Sequence, residues 1–579
     1  MFRNSINNEP CVRVFALGGL DESGKNMYCI ETVDSIFVIE AGLKYPDISN
    51  PGVDYIIPDM DYLKNRASKI KAVIVSHAHD DEYGALPYFL KKVANVPIYT
   101  TETVRSFVLA DYQKRYGSLF HFHIIKPSDD LMISGYPFHF FETSHTVAES
   151  FGFSVDTPAG SIVYTGDYIS DFSATGHFKF DLSKIAKIAE EHKTLLMMAE
   201  SAGADKPGIV SPTHKLTPHI RSFIEDGEHR VIIACYTQNM YIINEVIQQV
   251  IKNHKKLVIT SDQFLNMLPS FIANGDLIVP RANQCAITEM KNCKPEDVVV
   301  LMTGSGEELY NSIEDIARHE AKDQLLEFTE NDVVILACPS VPTTEVKQVE
   351  MLDTLYQTGA KVVNLTHKDL SSMHAQEEDL KMLISIFKPK YYMPVEGPFR
   401  LMMANAKVAN SVGYDPDNIF LMDNGMSLNF DAAGRPILPI QSLFTPGNVF
   451  VDGLGIGDVR SNIIDERTKM ASSGVIILSA LYSSKKHKVI GEPDVKMPGF
   501  VLESGNESVK KVILQIFKDY LTQLTAMPNP DPVPVMQKCM KQISQEMQRQ
   551  IHKDPLILPA VIDIDNPQSP DIKAEPASR

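Results

Sequence analysis

No stretch of the 579-residue chain approaches the roughly 18 consecutive apolar residues that a membrane span needs. The start, Met1 to Pro10, is polar and lacks the charged-then-apolar pattern of an export signal, so neither secretion nor membrane insertion is expected. CxxC spacing is absent as well. The seven cysteines, Cys11, Cys29, Cys235, Cys285, Cys293, Cys338 and Cys539, form an odd set that lies mostly inside apolar runs. They read as buried thiols in a reducing cytoplasm. Positive charge is in the minority: 55 Lys and Arg face 73 Asp and Glu, and the net charge of −18 repels a polyanion at long range. Indiscriminate nucleic-acid binding is thereby excluded, and any RNA must be met locally. The short basic clusters Lys114-Arg115, Lys255-Lys256 and Lys485-Lys486-His487-Lys488 read as solvated surface. Internal repeats are missing too.

What remains is an ordinary globular composition, 44% hydrophobic and 22% charged, in a chain long enough for several domains. Up to about Pro212, short β-branched runs alternate with Gly-, Asp- and His-rich loops; strands are predicted at Val12–Leu17, Ile36–Ile39, Val73–Val75, Ile162–Tyr164 and Leu195–Met198. From His229 to Asn364 the texture becomes strand–helix alternation, with strands at Val231–Ala234, Leu257–Thr260, Val298–Met302, Val333–Ala337 and Val362–Asn364, which predicts an α/β layer with a largely parallel sheet. After Asn448 come a strand at Val475–Leu478 and two helical stripes, Ile513, Ile516, Phe517, Tyr520, Leu521, Leu524 and Met536, Met540, Ile543, Met547, Ile551. "PNPDPVPV" (Pro528–Val535) reads as a stiff break between them. The stripes are expected to pack in a core, with a partner surface as the alternative. From about Asn566 the Pro-, Ser- and charge-rich tail reads as disordered.

The chemistry concentrates in "VIVSHAHDDEYGALPYF". An apolar strand ends at Ser76 and delivers His77, His79 and Asp81 within five residues, followed by Glu82. Alternate positions in an extended turn point both imidazoles the same way, which is ligand spacing for a transition metal. The run resembles the HxHxDH signature of the metallo-β-lactamase fold. "TSHTVAES" supplies His145 and "VYTGDYISD" supplies Asp167, in the order that family has them. "GGLDESGKNMY", "AGLKYPD", "GVDYIIPDMDYL", "KPKYYMPVEGPFRLM" and the "GDV" segment near Asp458 are similar to ribonuclease J, over nearly the whole chain and most of all to that family's degenerate second paralogue.

That resemblance implies an α/β protein: a metallo-β-lactamase αββα domain split in sequence, an inserted α/β β-CASP domain and a small α+β C-terminal domain used in assembly. The segments are then 8–212 and 366–447 for the split domain, 213–365 for the insert, 448–562 for the C-terminal domain and 563–579 for the disordered tail. It also implies a metal-dependent ribonuclease, 5′-to-3′ exonuclease and endonuclease, working on single-stranded RNA in mRNA decay and rRNA maturation. Carried over residue by residue, His77, His79, His145 and Asp167 form a first site suited to zinc. Asp81, Glu82, Glu396 and shared Asp167 form a second, oxygen-only site that favours manganese or magnesium. Asp81 and His374 are the catalytic candidates, His374 as general acid. Leu370, Ser371, Ser372, Met373 and His374 match the phosphate-holding segment, and Gln238 and Asn239 an RNA-contacting pair.

Gln238 replaces the serine of the RNA-contacting Ser-Asn pair, and four acidic or imidazole positions depart from the family. Glu40 stands where it has Asp after the second strand, Glu82 where HxHxDH ends in His, Glu200 where an SDST segment has Asp, and Glu396 where MPxHGE has His. Met373 replaces a glycine, which threatens close backbone approach to a phosphate. Reduced activity follows, because excess negative charge weakens a metal pair as a Lewis acid. Two rivals stand beside this reading: a weak or inactive subunit supporting an active ribonuclease J paralogue, and a small-molecule hydrolase on the same fold. Self-association or pairing with a paralogue, and a cytoplasmic location, complete the expectation. Gly19-Leu-Asp-Glu-Ser-Gly24-Lys25-Asn26 almost spells a phosphate loop, but Asn26 stands where Ser or Thr must reach magnesium.

Overall fold

Strict alternation of side chains builds the first part of the protein, as seen in a computed structural model that describes residues 10–47, 49–322, 324–341, 343–453, 455–456, 461–500 and 506–566. In the strands Tyr136–Glu142, Phe151–Thr157, Gly160–Tyr164, Thr194–Ala199 and Tyr391–Pro394, one face carries Phe138, Phe140, Phe153, Tyr164, Met198 and Met393. The other carries Phe141, Val163, Met197, Ala199 and Tyr392. Because successive strand residues point to opposite faces, such a sheet is buried twice. Its first face meets an eight-stranded sheet through Val14, Tyr28, Phe37, Ile39 and Ile74. Its second is covered by the helices Leu182–Glu191, Glu377–Phe387 and Phe399–Ser411. On the eight-stranded sheet, the parallel strands Ile70–Ile74, Ile98–Thr100 and Phe122–Ile124 are joined by the helices Leu86–Lys92 and Glu102–Tyr116. Parallel neighbours need such crossovers, and these supply the fourth layer of an αββα sandwich.

The sandwich is split in sequence. Tyr391–Pro394 returns beside Thr194–Ala199 in parallel, and Met426–Phe430 pairs antiparallel with Val12–Gly18. Between them, five strands in the order Lys256–Ile259, Val298–Gly304, Arg230–Tyr236, Asp332–Leu336 and Lys361–Asn364 form a wholly parallel sheet. Val298–Met302 is buried without interruption, as expected of a strand covered on both sides.

The chain divides into two compact units, residues 1–45 with 56–448 and residues 46–55 with 449–579. In the second, the strands Lys488–Lys496, Val475–Ser483 and Leu556–Asp563 carry two helices, Asn506–Ala526 and Pro532–Ile551. Ile513, Phe517, Leu521, Leu524, Met536, Met540, Ile543 and Met547 of the two stripes are all buried in its core. At about 1.5–3 kcal/mol for each fully buried large side chain, this packing sets the unit's stability.

Several expectations are corrected. The break at Pro528–Val535 is shorter, because the second helix starts at Pro532 with Asp531 accepting from the Val533 N–H. Proline fits a first helical turn, where its missing N–H has no partner to lose. Most strand ends move by at most three residues, Val73–Val75 for instance becoming Ile70–Ile74, but Val475–Leu478 runs on to Ser483. Glu40 follows the third strand, Ile36–Ile39, rather than the second. The near phosphate loop turns from the strand Val12–Gly18 into the strand Met27–Thr32 and opens no helix. Its Lys25 is buried against Glu22 and Asn448. Asp458 and the predicted tail beyond Asn566 lie outside the described residues, while Asp563 closes a strand. Among the described residues no helix is long and apolar enough to cross a membrane.

Candidate metal centre

At the carboxyl ends of three strands, the loops after Ile74, Glu142 and Tyr164 deliver His77, His145 and Asp167 to one point. His77, His79, His145 and Asp167 offer ligand atoms that all lie within 4.8 Å of one another. His77 Nε2 is 3.0 Å from His79 Nδ1, His145 Nε2 is 3.4 Å from the same atom, and Asp167 Oδ2 lies 3.7 Å and 3.6 Å from His77 and His145. Each ring's other nitrogen is fixed from outside: His77 Nδ1 by Ser76 Oγ at 3.0 Å, His79 Nε2 by Thr146 Oγ1 at 2.8 Å, and His145 Nδ1 by the Met373 carbonyl at 2.7 Å. Such outer partners set the tautomer and aim the inner nitrogen. Burial holds His77 and His145 well below the usual imidazole range and takes His79 down to about 4. All three are neutral, as metal ligands must be.

The oxygen donors do not close into one group. Asp81 and Glu82 gather beside His79, whereas Glu396 joins Asp167, Glu200 and His374. Glu82 Oε1 accepts from Asn26 Nδ2 at 2.7 Å, but Glu82 Oε2, Asp167 Oδ1 and Glu396 Oε2 are buried with no donor serving them among the described residues. Burial and the neighbouring acids push Glu82 and Glu396 well above the carboxylate range, Asp167 up to about 7 and Glu40 up to about 8. Unserved oxygens facing three neutral imidazoles fit a bound cation, which would satisfy them and return the carboxyls to their ionised form. Glu40 and Glu396 also hold left-handed backbone, φ 61° and 58°.

His374 sits at the rim. Its Nδ1 lies 2.9 Å from Glu200 Oε2 and 3.3 Å from Asp167 Oδ2, and the ring is 26% exposed. Burial works against its charge, but those two carboxylates outweigh it and bring it up to about 9. Glu200 is the residue that sequence reasoning under-used. It follows the fully buried strand Thr194–Ala199 and accepts from the Tyr168 and Ala375 N–H groups, both at 2.9 Å. An acid straight after the five apolar residues Leu195–Ala199 is the signal that could have found it. Asn26, which pins Glu82, has none.

The remaining candidates separate. The Met373 side chain is buried and its φ is not positive, so the lost glycine costs no strain, and its carbonyl serves His145. Leu370 is buried, Ser371 Oγ accepts from Thr213 Oγ1 at 2.9 Å, and Ser372 is half-buried. Asn239 caps the helix Met240–Lys252 by accepting from the Ile242 N–H, and Gln238 Nε2 donates to Asp80 Oδ1 at 3.1 Å.

Family models agree with this architecture. "Metallo-beta-lactamase superfamily" matches residues 20–214, "Ribonuclease J, beta-CASP domain" residues 228–355, and "Ribonuclease J C-terminal domain" residues 462–564. The chain belongs to the ribonuclease J family. Similar relatives are the proteins named Ribonuclease J 2 of Staphylococcus aureus (strain NCTC 8325 / PS 47) and Staphylococcus saprophyticus subsp. saprophyticus. Each is 27% identical, over 96% of this chain and 98% of the relative. A solved protein of unknown function from Enterococcus faecalis V583 aligns over 72% of this chain and 100% of its own, at 14% identity and a TM-score of 0.49, too low to bear on the fold. For a ribonuclease J family member the β-CASP match coincides with the parallel-sheet insert, and the C-terminal match falls in the second compact unit.

Proposed function

We propose that the chain is a metal-dependent ribonuclease of reduced activity that hydrolyses single-stranded RNA, as 5′-to-3′ exonuclease and endonuclease, in mRNA decay and rRNA maturation. The observation that carries it is the set of three neutral imidazoles, each aimed inward by an outer partner, converging with Asp167. Zinc suits that set; manganese or magnesium suits the oxygen donors Asp81, Glu82, Glu396 and Asp167. Bound metal supplies Lewis acidity and a nucleophilic water at neutral pH. The chain's own residues do the rest. Asp81, partly exposed beside His79, orients the attacking water. His374, held protonated between Glu200 and Asp167, pairs with the phosphate and gives its proton to the departing oxygen. Ser371 and Ser372 flank it with hydroxyls, and Gln238 and Asn239 belong to the RNA groove. The C-terminal unit joins the chain to copies of itself or to a ribonuclease J paralogue.

A second reading, a supporting subunit with little activity, is favoured by Glu82 and Glu396, buried acids where imidazoles would serve a second metal. Metal analysis beside hydrolysis of 5′-monophosphorylated RNA, with zinc, magnesium and manganese in turn, separates the two. Slow metal-dependent cleavage is expected; none under any metal leaves the subunit reading.

A further inference from the structure

On the helix-covered face of the sheet that holds Tyr136–Glu142 and Phe151–Thr157, whose edge strand is Asp130–Ile133, a second group of imidazoles meets a carboxylate away from the centre just described. Phe138 and Phe140 face the inter-sheet core, so His139 between them faces the helices; Asp156, next to the core residue Val155, faces the same way. His139 stands opposite Ser154 across one strand pair and opposite Asp130 across the other. His192 arrives from the end of the helix Leu182–Glu191, which lies over this face. Ligand atoms of His139, Asp156 and His192 lie within 4.8 Å of one another. Asp156 Oδ2 is 3.0 Å from His192 Nδ1 and 3.6 Å from His139 Nε2, and the ring centroids are 4.1 Å apart.

Two details point to a cation. Asp130 Oδ1 accepts from His139 Nδ1 at 2.9 Å and is itself held by Lys184 Nζ at 2.8 Å. His139 thereby turns its other ring nitrogen, Nε2, toward Asp156. That Nε2 is buried and has no hydrogen-bond partner among the described residues. The Ser161 hydroxyl donates to the other oxygen of Asp156, so Oδ2 is the oxygen turned toward both rings.

We propose that His139, Asp156 and His192 bind a divalent transition metal, zinc being the natural occupant of a two-imidazole, one-carboxylate set with a water in the fourth position. Asp130 is a positioning residue, orienting His139 as carboxylates orient metal-bound histidines. The site is distinct from the nuclease centre: Asp156 lies five residues along its strand from Phe151, whose N–H reaches Ser76, roughly 16 Å at strand rise. Its ligands come from two strands and the end of a helix, so a bound ion pins that helix to the sheet.

The test is zinc content of the full chain after equilibrium dialysis against zinc, with a thermal melt of each sample. His139→Gln/His192→Gln should hold one equivalent less than the unmodified protein and lose the zinc-dependent rise in Tm. His77→Ala/His79→Ala should lose a different equivalent and keep that rise. Asp130→Asn should weaken zinc binding at this site about 10- to 100-fold. Should the double glutamine variant fold poorly, His192→Gln alone, at an exposed helix end, gives the same readings. Equal zinc content in the unmodified protein and either glutamine variant overturns the proposal and leaves a bridging proton in the site.

Discussion

His77, His79 and His145 each tie one ring nitrogen to a neighbour and turn the other inward, so the metal affinity of the centre resides in few atoms. Replacing His77 and His79 together with alanine should abolish tight transition-metal retention there, read by elemental analysis after dialysis against buffer without metal; unchanged retention would remove this centre from consideration. The two buried glutamates act in the opposite sense. Glu82→His with Glu396→His should raise RNA hydrolysis by about tenfold or more, ~1.4 kcal/mol of barrier, most with zinc or manganese. No gain under any metal would mean that the altered oxygen donors do not limit the rate.

Among elements, legibility in the sequence follows locality. Two imidazoles and an acid packed into His77–Asp81 just after a buried strand announce themselves, and so do helical stripes such as Ile513, Phe517, Leu521 and Leu524. The pairing of Glu200 with His374 stays hidden because the two are 174 residues apart. The strand Met27–Thr32 is hidden for another reason: it is buried throughout and so shows no alternation. Asn239 is a case where element and site compete. Its side chain caps the helix Met240–Lys252, so Asn239→Ala should lower stability by about 0.5–2 kcal/mol while Asn239→Asp keeps it, measured by denaturant unfolding. RNA binding lost equally in both variants would mark an RNA contact rather than a cap.

At the scale of the whole molecule, the buried acids make stability pH-dependent when metal is absent. Asp167 rises from 3.8 to about 7, Glu40 from 4.5 to about 8 and His374 from 6.5 to about 9. Each raised group binds its proton more tightly in the folded state, so its contribution is full below the ordinary value and lost as pH climbs through the raised one. The metal-free protein should therefore lose thermal stability between about pH 4 and 9, and metal should flatten that slope. A flat melt profile without metal would show these groups titrating normally. Assembly belongs to this scale too. Both helical stripes are consumed by the C-terminal core, which leaves the far side of its sheet, where Leu481, Leu558 and Ile562 are 43%, 45% and 37% exposed, as the apolar surface for an interface there. Leu481→Lys with Leu558→Lys should lower the mass seen by light scattering. An unmodified chain that is already monomeric at micromolar concentration would return the weight to a free-standing nuclease.

The bond from His145 to the Met373 carbonyl spans 228 positions, and the strand that carries the chain on to Glu396 lies later still. On the ribosome, then, the three histidines emerge long before the group that aims one of them and before the strand that completes their sheet. A nascent chain arrested ahead of Met373 should hold metal loosely, and one arrested beyond Ser442 tightly, a difference that pelleted ribosome–chain complexes would reveal in their metal content. Until those later segments have emerged, His145 lacks the carbonyl that aims it and the site lacks Glu396.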